Sequence, residues 1–107
     1  MILETVYSLN NVPIRLTEER WEHVIDAHPY MTRYYEEMLD AVDDPEYILP
    51  GHKGSLIAVV RLRKKTFLHV MYRELSKADG LIITAYIKLR LITRRLYGQE
   101  ANSRESR

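Results

Sequence analysis

The sequence contains no cysteine, and only four of its 107 residues are glycine. The lack of cysteine excludes a disulfide framework and any thiolate zinc site. The glycines do not form a phosphate-binding loop, a GxSxG turn or a dinucleotide fingerprint, so enzymes built on those motifs are excluded as well. His23 and His28 are five residues apart and do not share a helix face, so there is no HExxH zinc motif. We expect a fold stabilised by burial, with no metal and no cofactor.

Long apolar runs are also absent. No segment approaches the roughly 18 to 20 apolar residues that cross a bilayer, and Glu4 stands where a secretory signal would carry basic residues. The sequence therefore predicts a soluble, cytoplasmic protein with no membrane partner. A chain of 107 residues with 46% hydrophobic content suits one domain. We assign residues 1–98 to that domain and predict that the polar residues 99–107 form a disordered tail.

Charge is unevenly distributed although the net charge is only +1. Residues 1–51 contain 3 Lys or Arg and 11 Asp or Glu, whereas residues 52–107 contain 13 and 4. The basic half is therefore a candidate for contact with an anionic partner such as a nucleic acid backbone. The alternative is that the two halves pair their charges within the molecule.

Two helices are predicted in the acidic half. Thr17 is a good N-cap, and Glu18 and Glu19 follow it in the first turn, where the helix dipole favours negative charge. Pro29 ends this helix, because the residue before a proline is pushed out of the helical region. A second helix is predicted from about Tyr30 to Asp44. Its apolar stripe consists of Met31, Tyr34, Tyr35, Met38, Leu39 and Val42.

Strands are predicted on both sides of the helices. Residues 3–9 and 12–16 are β-prone and flank Asn10-Asn11, a turn-forming pair that allows an N-terminal hairpin. Alternation of apolar and polar residues predicts further strands at 47–49, 55–63, 66–74 and 81–89. We expect residues 77–80 to form the turn before the last strand, because Asp79-Gly80 supplies a residue with left-handed backbone. Residues 91–98 fit either a strand extension or a helix. This order predicts an α+β fold in which the helices cover one face of an antiparallel sheet.

The other face of this sheet gathers the candidate functional residues. If Ile83 and Ile87 face the helices, alternation places basic, hydroxyl and imidazole groups on the opposite face. Such an array suits a phosphodiester, because cations stabilise charge on phosphoryl oxygens and other groups exchange protons. The alternative is a polar face that only contacts water. The residues on this face are Arg61, Arg63, His69, Arg73, Thr84, Tyr86 and Lys88, and Arg90 continues the series.

His28 is a second candidate. It ends the stripe of the first helix, where the helix dipole favours an imidazolium, and a protonated histidine could donate to a phosphate or to a leaving 5′-oxygen. The alternative is a histidine that only caps the helix. Because the helices cover the opposite face, His28 has to approach the polar face from an edge of the sheet.

Three strings give the chain a family resemblance that covers about residues 15–90. They are Arg20-Trp21-Glu22-His23-Val24-Ile25 with His28-Pro29, then Tyr72-Arg73-Glu74, and Asp79-Gly80-Leu81-Ile82-Ile83-Thr84-Ala85-Tyr86. Together they resemble the phage-associated small nucleases of the barnase, EndoU, colicin and RelE (BECR) superfamily.

The resemblance implies two N-terminal helices packed on one face of a four- to five-stranded antiparallel sheet, and metal-independent RNA cleavage in a groove on that sheet. It also implies a toxin controlled by an antitoxin. The matching strings carry over His28, Arg73, Thr84 and Tyr86 as catalytic residues.

We therefore predict an endoribonuclease that cuts tRNA or mRNA by attack of the substrate's own 2′-hydroxyl on the adjacent phosphate. His28 is expected to act as general acid or base, Arg73 and Lys88 to stabilise the phosphate, and Thr84 and Tyr86 to position groups or relay protons. RNA contacts are assigned to Arg61, Arg63, His69, Lys88 and Arg90.

Two other classes of function remain open. One is a non-catalytic module that binds RNA or protein through the same basic face. The other is a partner-binding protein whose functional surface is the acidic face of the helices, which includes Glu36 and Asp40.

Overall fold

The computed structural model describes residues 1–89, which form an α+β fold with two α-helices and a six-stranded mixed sheet. The predictions for Arg90, for residues 91–98 and for the tail 99–107 lie outside the described residues. In chain order the strands and helices are β1 Ile2–Tyr7, β2 Pro13–Thr17, α1 Glu18–Ala27, a 3-10 helix Pro29–Tyr34, α2 Tyr35–Asp43, β3 Tyr47–Pro50, a short 3-10 turn His52–Gly54, β4 Leu56–Arg63, β5 Thr66–Ser76 and β6 Asp79–Lys88. No helix in residues 1–89 has the length and apolar character needed to cross a membrane.

The prediction of two N-terminal helices on a four- to five-stranded antiparallel sheet was wrong. The sheet has six strands in the order β1-β2-β6-β5-β4-β3, and a β1–β2 hairpin precedes the first helix. This hairpin joins the sheet by a parallel pair, in which Ile14 lies opposite Gly80 and Arg15 opposite Leu81. The other neighbouring strands run antiparallel. The predicted hairpin was therefore correct, but its parallel attachment to β6 was not foreseen.

The junction of β2 and β6 explains the Asp79-Gly80 pair. The β5–β6 turn consists of Lys77 and Ala78, because Ser76 already pairs with Asp79. The turn therefore lies within the predicted residues 77–80, but Asp79 and Gly80 belong to β6, and Gly80 does not have the left-handed backbone that was expected of it. A Cβ atom on Gly80 would lie 2.6 Å from the Arg73 carbonyl oxygen of β5 and 2.5 Å from Ile14 Cδ1, so the neighbouring backbone leaves room only for glycine. Beside it, Arg15 Nε donates to Asp79 Oδ1 at 3.0 Å and links β2 to β6.

The helices form where the sequence predicted them, with one difference. Thr17 caps α1, since its hydroxyl accepts a hydrogen bond from the Arg20 amide at 3.1 Å. The second helix begins as a 3-10 turn after Pro29 and becomes α-helical only at Tyr35. Trp21 of α1 packs edge to face on the Tyr35 ring, with 5.0 Å between ring centroids. This contact joins the two helices above the sheet.

The core lies between the helices and the concave face of the sheet. Since α2 contacts both β1 and β4, which are not neighbours, the sheet curls round this helix. The buried positions of β6 differ from the predicted alternation because Ile83 is skipped in the β5–β6 register, which places Ile82 in the core. The fully buried side chains include Ile14, Leu16, Val24, Met31, Met38, Val42, Leu68, Val70, Tyr72 and Ile82.

Candidate functional site

The face of the sheet away from the helices, here called the open face, has an apolar half and a polar half. Side chains of β3, β4 and β5 form a second hydrophobic cluster there, and Val59 in it is fully buried. The apolar half contains Tyr47, Leu49, Ile57, Val59, Phe67 and Met71. The candidate site is therefore confined to the β5–β6 side of the open face.

Tyr86 is at the centre of the polar half. It lies opposite His69 in the β5–β6 ladder, and the two rings stack with centroids 5.2 Å apart and an interplanar angle of 18°. Lys88, two residues further along β6, places its Nζ atom 5.5 Å from the centre of the Tyr86 ring. Thr84 lies two residues before Tyr86 and pairs with Met71. Alternation along β6 thus brings a hydroxyl, an aromatic ring and a cation together, as predicted.

His69 supports this arrangement from a buried position, being only 4% exposed. Its Nδ1 atom lies 3.1 Å from the Phe67 carbonyl oxygen. A carbonyl can only accept, so Nδ1 carries the hydrogen and donates it. Burial lowers the pKa of His69, the bond to Phe67 opposes this effect, and the charge of Lys88 adds to it. His69 is therefore a neutral support for the Tyr86 ring, and its burial does not suit the predicted direct contact with RNA.

His28 reaches the open face at the edge of β6. In the part of the chain that the structure describes, β2 pairs with β6 only at Gly80 and Leu81, so β2 leaves the later residues of that edge uncovered. His28, whose amide completes the last turn of α1 by donating to the Val24 carbonyl, lies at this edge. Its ring centroid is 6.0 Å from that of Tyr86. His28 therefore approaches the open face from an edge of the sheet, as the sequence analysis predicted.

Tyr30 holds His28 in place, and sequence reasoning did not single it out. The Ile87 amide donates to the Tyr30 hydroxyl oxygen at 3.1 Å, and that hydroxyl lies 3.2 Å from His28 Nδ1. The Tyr30 hydroxyl donates to Nδ1 in one tautomer of His28 and accepts from it in the other, and both arrangements leave Nε2 for other partners. The available signal was that Tyr30 follows His28-Pro29 and falls off the apolar stripe. We call His28, Tyr30, His69, Tyr86 and Lys88 the His28 cluster.

Arg73 does not join the His28 cluster. Its Nη2 atom donates to the Lys53 carbonyl oxygen at 2.7 Å and so anchors the loop before β4. Lys53 has a left-handed backbone with φ of 53°, an uncommon conformation for a residue with a side chain. Arg73 is four residues from His69 along β5, which corresponds to about 13 Å. The structure thus brings His28 to Tyr86 but not to Arg73, and a catalytic role for Arg73 stays a prediction.

The two arginines of β4 point to different places. The guanidinium of Arg61 lies over the Phe67 ring, 5.2 Å from its centre, and Nη1 donates to the Lys64 carbonyl. The β4–β5 register skips Leu62, so Arg63 pairs with Thr66 rather than with a residue of the open face. Arg63 therefore lines a groove on the helix side of the sheet. The prediction that Arg63 shares the open face was wrong, because a β-bulge reverses its direction.

Comparisons with protein-family models, with curated proteins and with solved structures found no match. Within residues 1–89, no three His, Cys, Asp or Glu side chains are grouped so that they could hold a metal ion. Function is therefore inferred from the chemistry of the His28 cluster and from the strings of residues described above.

Proposed function

We propose that the protein is an endoribonuclease that cleaves RNA, without a metal ion, through attack of a 2′-hydroxyl on the adjacent phosphate. The observation that carries this proposal is the hydrogen-bonded series from the Ile87 amide through the Tyr30 hydroxyl to His28 Nδ1, beside the Tyr86 ring. Imidazole exchanges protons near neutral pH, and a fixed Nδ1 directs the exchange to Nε2.

The reaction needs proton transfer at two oxygens and stabilisation of charge at phosphorus. The 2′-oxygen loses its proton and forms a bond to phosphorus, while the bond to the 5′-oxygen breaks and that oxygen gains a proton. His28 Nε2 exchanges a proton with one of these oxygens, solvent water exchanges a proton with the other, and Lys88 supplies positive charge to the phosphoryl group. The products are a 2′,3′-cyclic phosphate and a free 5′-hydroxyl.

Tyr86 supplies a surface on which a base of single-stranded RNA can stack. Aromatic rings next to cations are the usual platform for such strands. His69 supports the ring from the opposite strand, and Lys88 adds a cation above it. Thr84 positions substrate groups on the same face of β6. The proposed substrate is therefore a single-stranded segment of tRNA or mRNA.

The resemblance to the phage-associated small nucleases supports the same reaction and extends the proposal to a biological setting. We propose that the protein is a cytoplasmic toxin held inactive by an antitoxin. The presence of a small protein encoded in the adjacent reading frame, and its ability to block RNA cleavage, would test this part.

RNA cleavage by the purified protein in the presence of a chelator tests the reaction. We expect bulk RNA or tRNA to be cut to fragments ending in a 2′,3′-cyclic phosphate, and RNA with 2′-O-methyl groups to remain intact. His28→Ala should abolish cleavage, whereas His23→Ala, which changes an exposed histidine of α1, should not. Absence of cleavage by the wild-type protein, or equal activity of both variants, would refute the proposal.

A second candidate function is a non-catalytic RNA-binding module. The separation of Arg73 from His28 favours it, because this arginine donates to a loop carbonyl and stands apart from the other candidate groups. Binding through phosphate contacts would weaken steeply with salt, since neutralised phosphates release counterions. Intact protein that binds RNA with a negative salt slope and leaves it uncut would support this function over cleavage.

A further inference from the structure

A groove of about 400 Å³ lies on the helix side of the sheet, where the 3-10 helix Pro29–Tyr34 meets the ends of β4, β5 and β6. It shares only Tyr30 with the His28 cluster. Tyr34 and Ile87, which form its apolar part, also pack against the core beneath the helices. The groove is lined by Tyr30, Arg33, Tyr34, Arg63, Thr66 and Ile87. None of these six side chains carries a carboxylate.

Two guanidinium groups give this groove its charge. Arg33 and Arg63 are both exposed, and the only ion pair within residues 1–89 is the one between Arg15 and Asp79. Neither guanidinium is therefore neutralised by a carboxylate of the described chain. Arg33 lies over the Tyr34 ring, 5.7 Å from its centre, which holds the cation next to an aromatic surface. Thr66 adds a hydroxyl beside them.

We propose that this groove binds the nucleotide next to the scissile phosphate of a single-stranded RNA. Arg33 and Arg63 bind its phosphate, and the tyrosine rings accept its base. The volume suits one nucleotide, since pockets for single small ligands begin at about 300 Å³. This inference rests on the proposed ribonuclease function, because it assigns a subsite to the same substrate.

Tyr30 connects the groove to the proposed reaction centre. Its ring lines the groove, while its hydroxyl is bound to His28 Nδ1 and to the Ile87 amide. A strand whose phosphate lies at His28 can therefore continue past Tyr30, at the edge of β6, into the groove. Phosphate contacts add affinity for any RNA, and the base contact adds a preference for an unpaired nucleotide at this position.

Binding of an uncleavable five-nucleotide RNA with 2′-O-methyl groups, followed by fluorescence anisotropy, tests the groove separately from catalysis. Arg33→Gln and Arg63→Gln should each weaken binding about tenfold. Each should also make the slope of the logarithm of the binding constant against the logarithm of the salt concentration shallower by about 0.7, as expected for one lost phosphate contact. Lys77→Gln is the matched control, because it removes one exposed positive charge from the distant β5–β6 turn. This control should bind as the wild-type protein does.

Probes that differ at one position test the contact with the base without altering the protein. For each position of the five-nucleotide RNA, we expect the probe lacking that base to bind the wild-type protein more weakly. At the position that occupies the groove the loss should be about tenfold, and it should largely disappear in Tyr34→Leu. If Tyr34→Leu does not fold, the set of abasic probes with Arg33→Gln still decides, since Arg33→Gln should reduce the same loss.

The outcomes separate the groove from the proposed reaction. The wild-type protein could cleave RNA while Arg33→Gln and Arg63→Gln bind RNA as well as Lys77→Gln does. This result would refute the nucleotide-binding role of the groove and leave the proposed ribonuclease function in place. Binding that depends on both arginines and on a base, without cleavage of any RNA, would overturn the reaction and leave a nucleotide-binding groove. Equal binding of all abasic probes and the intact RNA would mean that the groove takes anionic charge alone, as for an acidic peptide, and would refute the nucleotide subsite.

Discussion

Two grooves of nearly equal size but opposite charge lie along the margin between the helices and β4. The basic groove described above measures about 400 Å³ and contains Arg33 and Arg63. The acidic groove measures about 420 Å³ and lies between α2 and β4. It is lined by Glu37, Asp40, Ala41, Asp43, Asp44, Val60, Arg61 and Leu62. Arg61 lines the acidic groove, but its guanidinium lies over Phe67 on the open face, whereas Arg63 contributes to the basic groove.

The contrast shows how the uneven charge of the sequence is arranged in space. Pairing between the acidic first half and the basic second half was one interpretation of the composition. Among residues 1–89, however, the only ion pair joins Arg15 of the acidic half to Asp79 of the basic half. It therefore pairs the minority charge of each half and neutralises none of the excess charge. The bulk of each charge is therefore left on its own surface. Such separation favours one anionic partner on the basic side and a different contact on the acidic side.

The largest expected effect concerns His28, which lies beside the basic groove. We expect His28→Ala to reduce the rate of RNA cleavage by about 10²- to 10⁴-fold, as for loss of a general acid or base. Asp40→Asn in the acidic groove should leave the rate within about threefold, because this carboxylate does not contact the His28 cluster. The measurement is the initial rate on a labelled RNA with EDTA present. A comparable loss in Asp40→Asn would remove the functional distinction between the two grooves.

Reversing the charge of each groove should have the next largest effect, on RNA affinity. The double variant Arg33→Glu/Arg63→Glu is expected to weaken binding of 2′-O-methyl RNA by at least about 100-fold, since two phosphate contacts are replaced by repulsion. Glu37→Lys/Asp40→Lys should instead tighten binding about two- to fivefold at low salt, because a repulsive field is removed. Anisotropy at two salt concentrations measures both. If the acidic variant loses affinity, RNA contacts the acidic groove.

The acidic groove is also where the alternative function, binding of a protein partner by the helices, can be tested. If the proposed antitoxin binds there, Glu37→Lys/Asp40→Lys should release it while RNA cleavage persists. Complexes that survive this change would place the partner elsewhere on the molecule.

Local features of the fold were predictable because they depend on neighbouring residues. Thr17 determines the start of α1, Pro29 its end, and alternation determines β4, β5 and most of β6. The parallel pairing of β2 with β6 was not predictable, since it joins residues more than 60 positions apart through two registered pairs. Gly80 marks a close contact at this junction, but one glycine in one sequence does not identify the strand beside it.

Two β-bulges separate the predicted faces from the observed ones. Skipping Leu62 turns Arg63 to the helix side, and skipping Ile83 moves Ile82 into the core. Strict alternation holds only while the register is continuous, so a single skipped residue reverses every later assignment. The stack of Tyr86 on His69 lies between these bulges, which is why alternation predicted that part of the site. The bond from Tyr30 to His28 depends on the uncovered edge of β6 and could not be derived from either helix.

Tyr30→Phe tests the residue shared by the basic groove and the His28 cluster. The variant retains the ring that lines the groove but loses the bonds to His28 Nδ1 and to the Ile87 amide. We expect the cleavage rate to fall about tenfold and the stability by about 1 kcal/mol, because one oriented hydrogen bond and one edge acceptor are lost. Affinity for 2′-O-methyl RNA should change little. Tyr34→Phe, which retains its ring in the same groove, is the control for loss of a tyrosine hydroxyl.

An unchanged cleavage rate in Tyr30→Phe would mean that His28 does not need this bond for its orientation. An equal loss of affinity and rate would instead assign the Tyr30 hydroxyl to RNA binding. The split between affinity and rate therefore decides whether Tyr30 belongs to the groove or to the positioning of His28.

The smallest expected effect is a dependence of the folding stability on pH, caused by His69 of the His28 cluster. Burial lowers the pKa of His69 in the folded protein, so the unfolded chain, where histidine has a pKa of about 6.5, binds the proton more readily. The stabilisation from neutral His69 is therefore fully present above about pH 6.5 and is lost as the pH falls below it. Urea unfolding between about pH 7.5 and 5 should show this decline. His69→Gln, which can still donate to the Phe67 carbonyl, should flatten it even if its stability at pH 7.5 is lower. An equally steep decline in His69→Gln would assign the proton uptake to another group, and would show that the ring beneath Tyr86 already accepts a charge in the folded state.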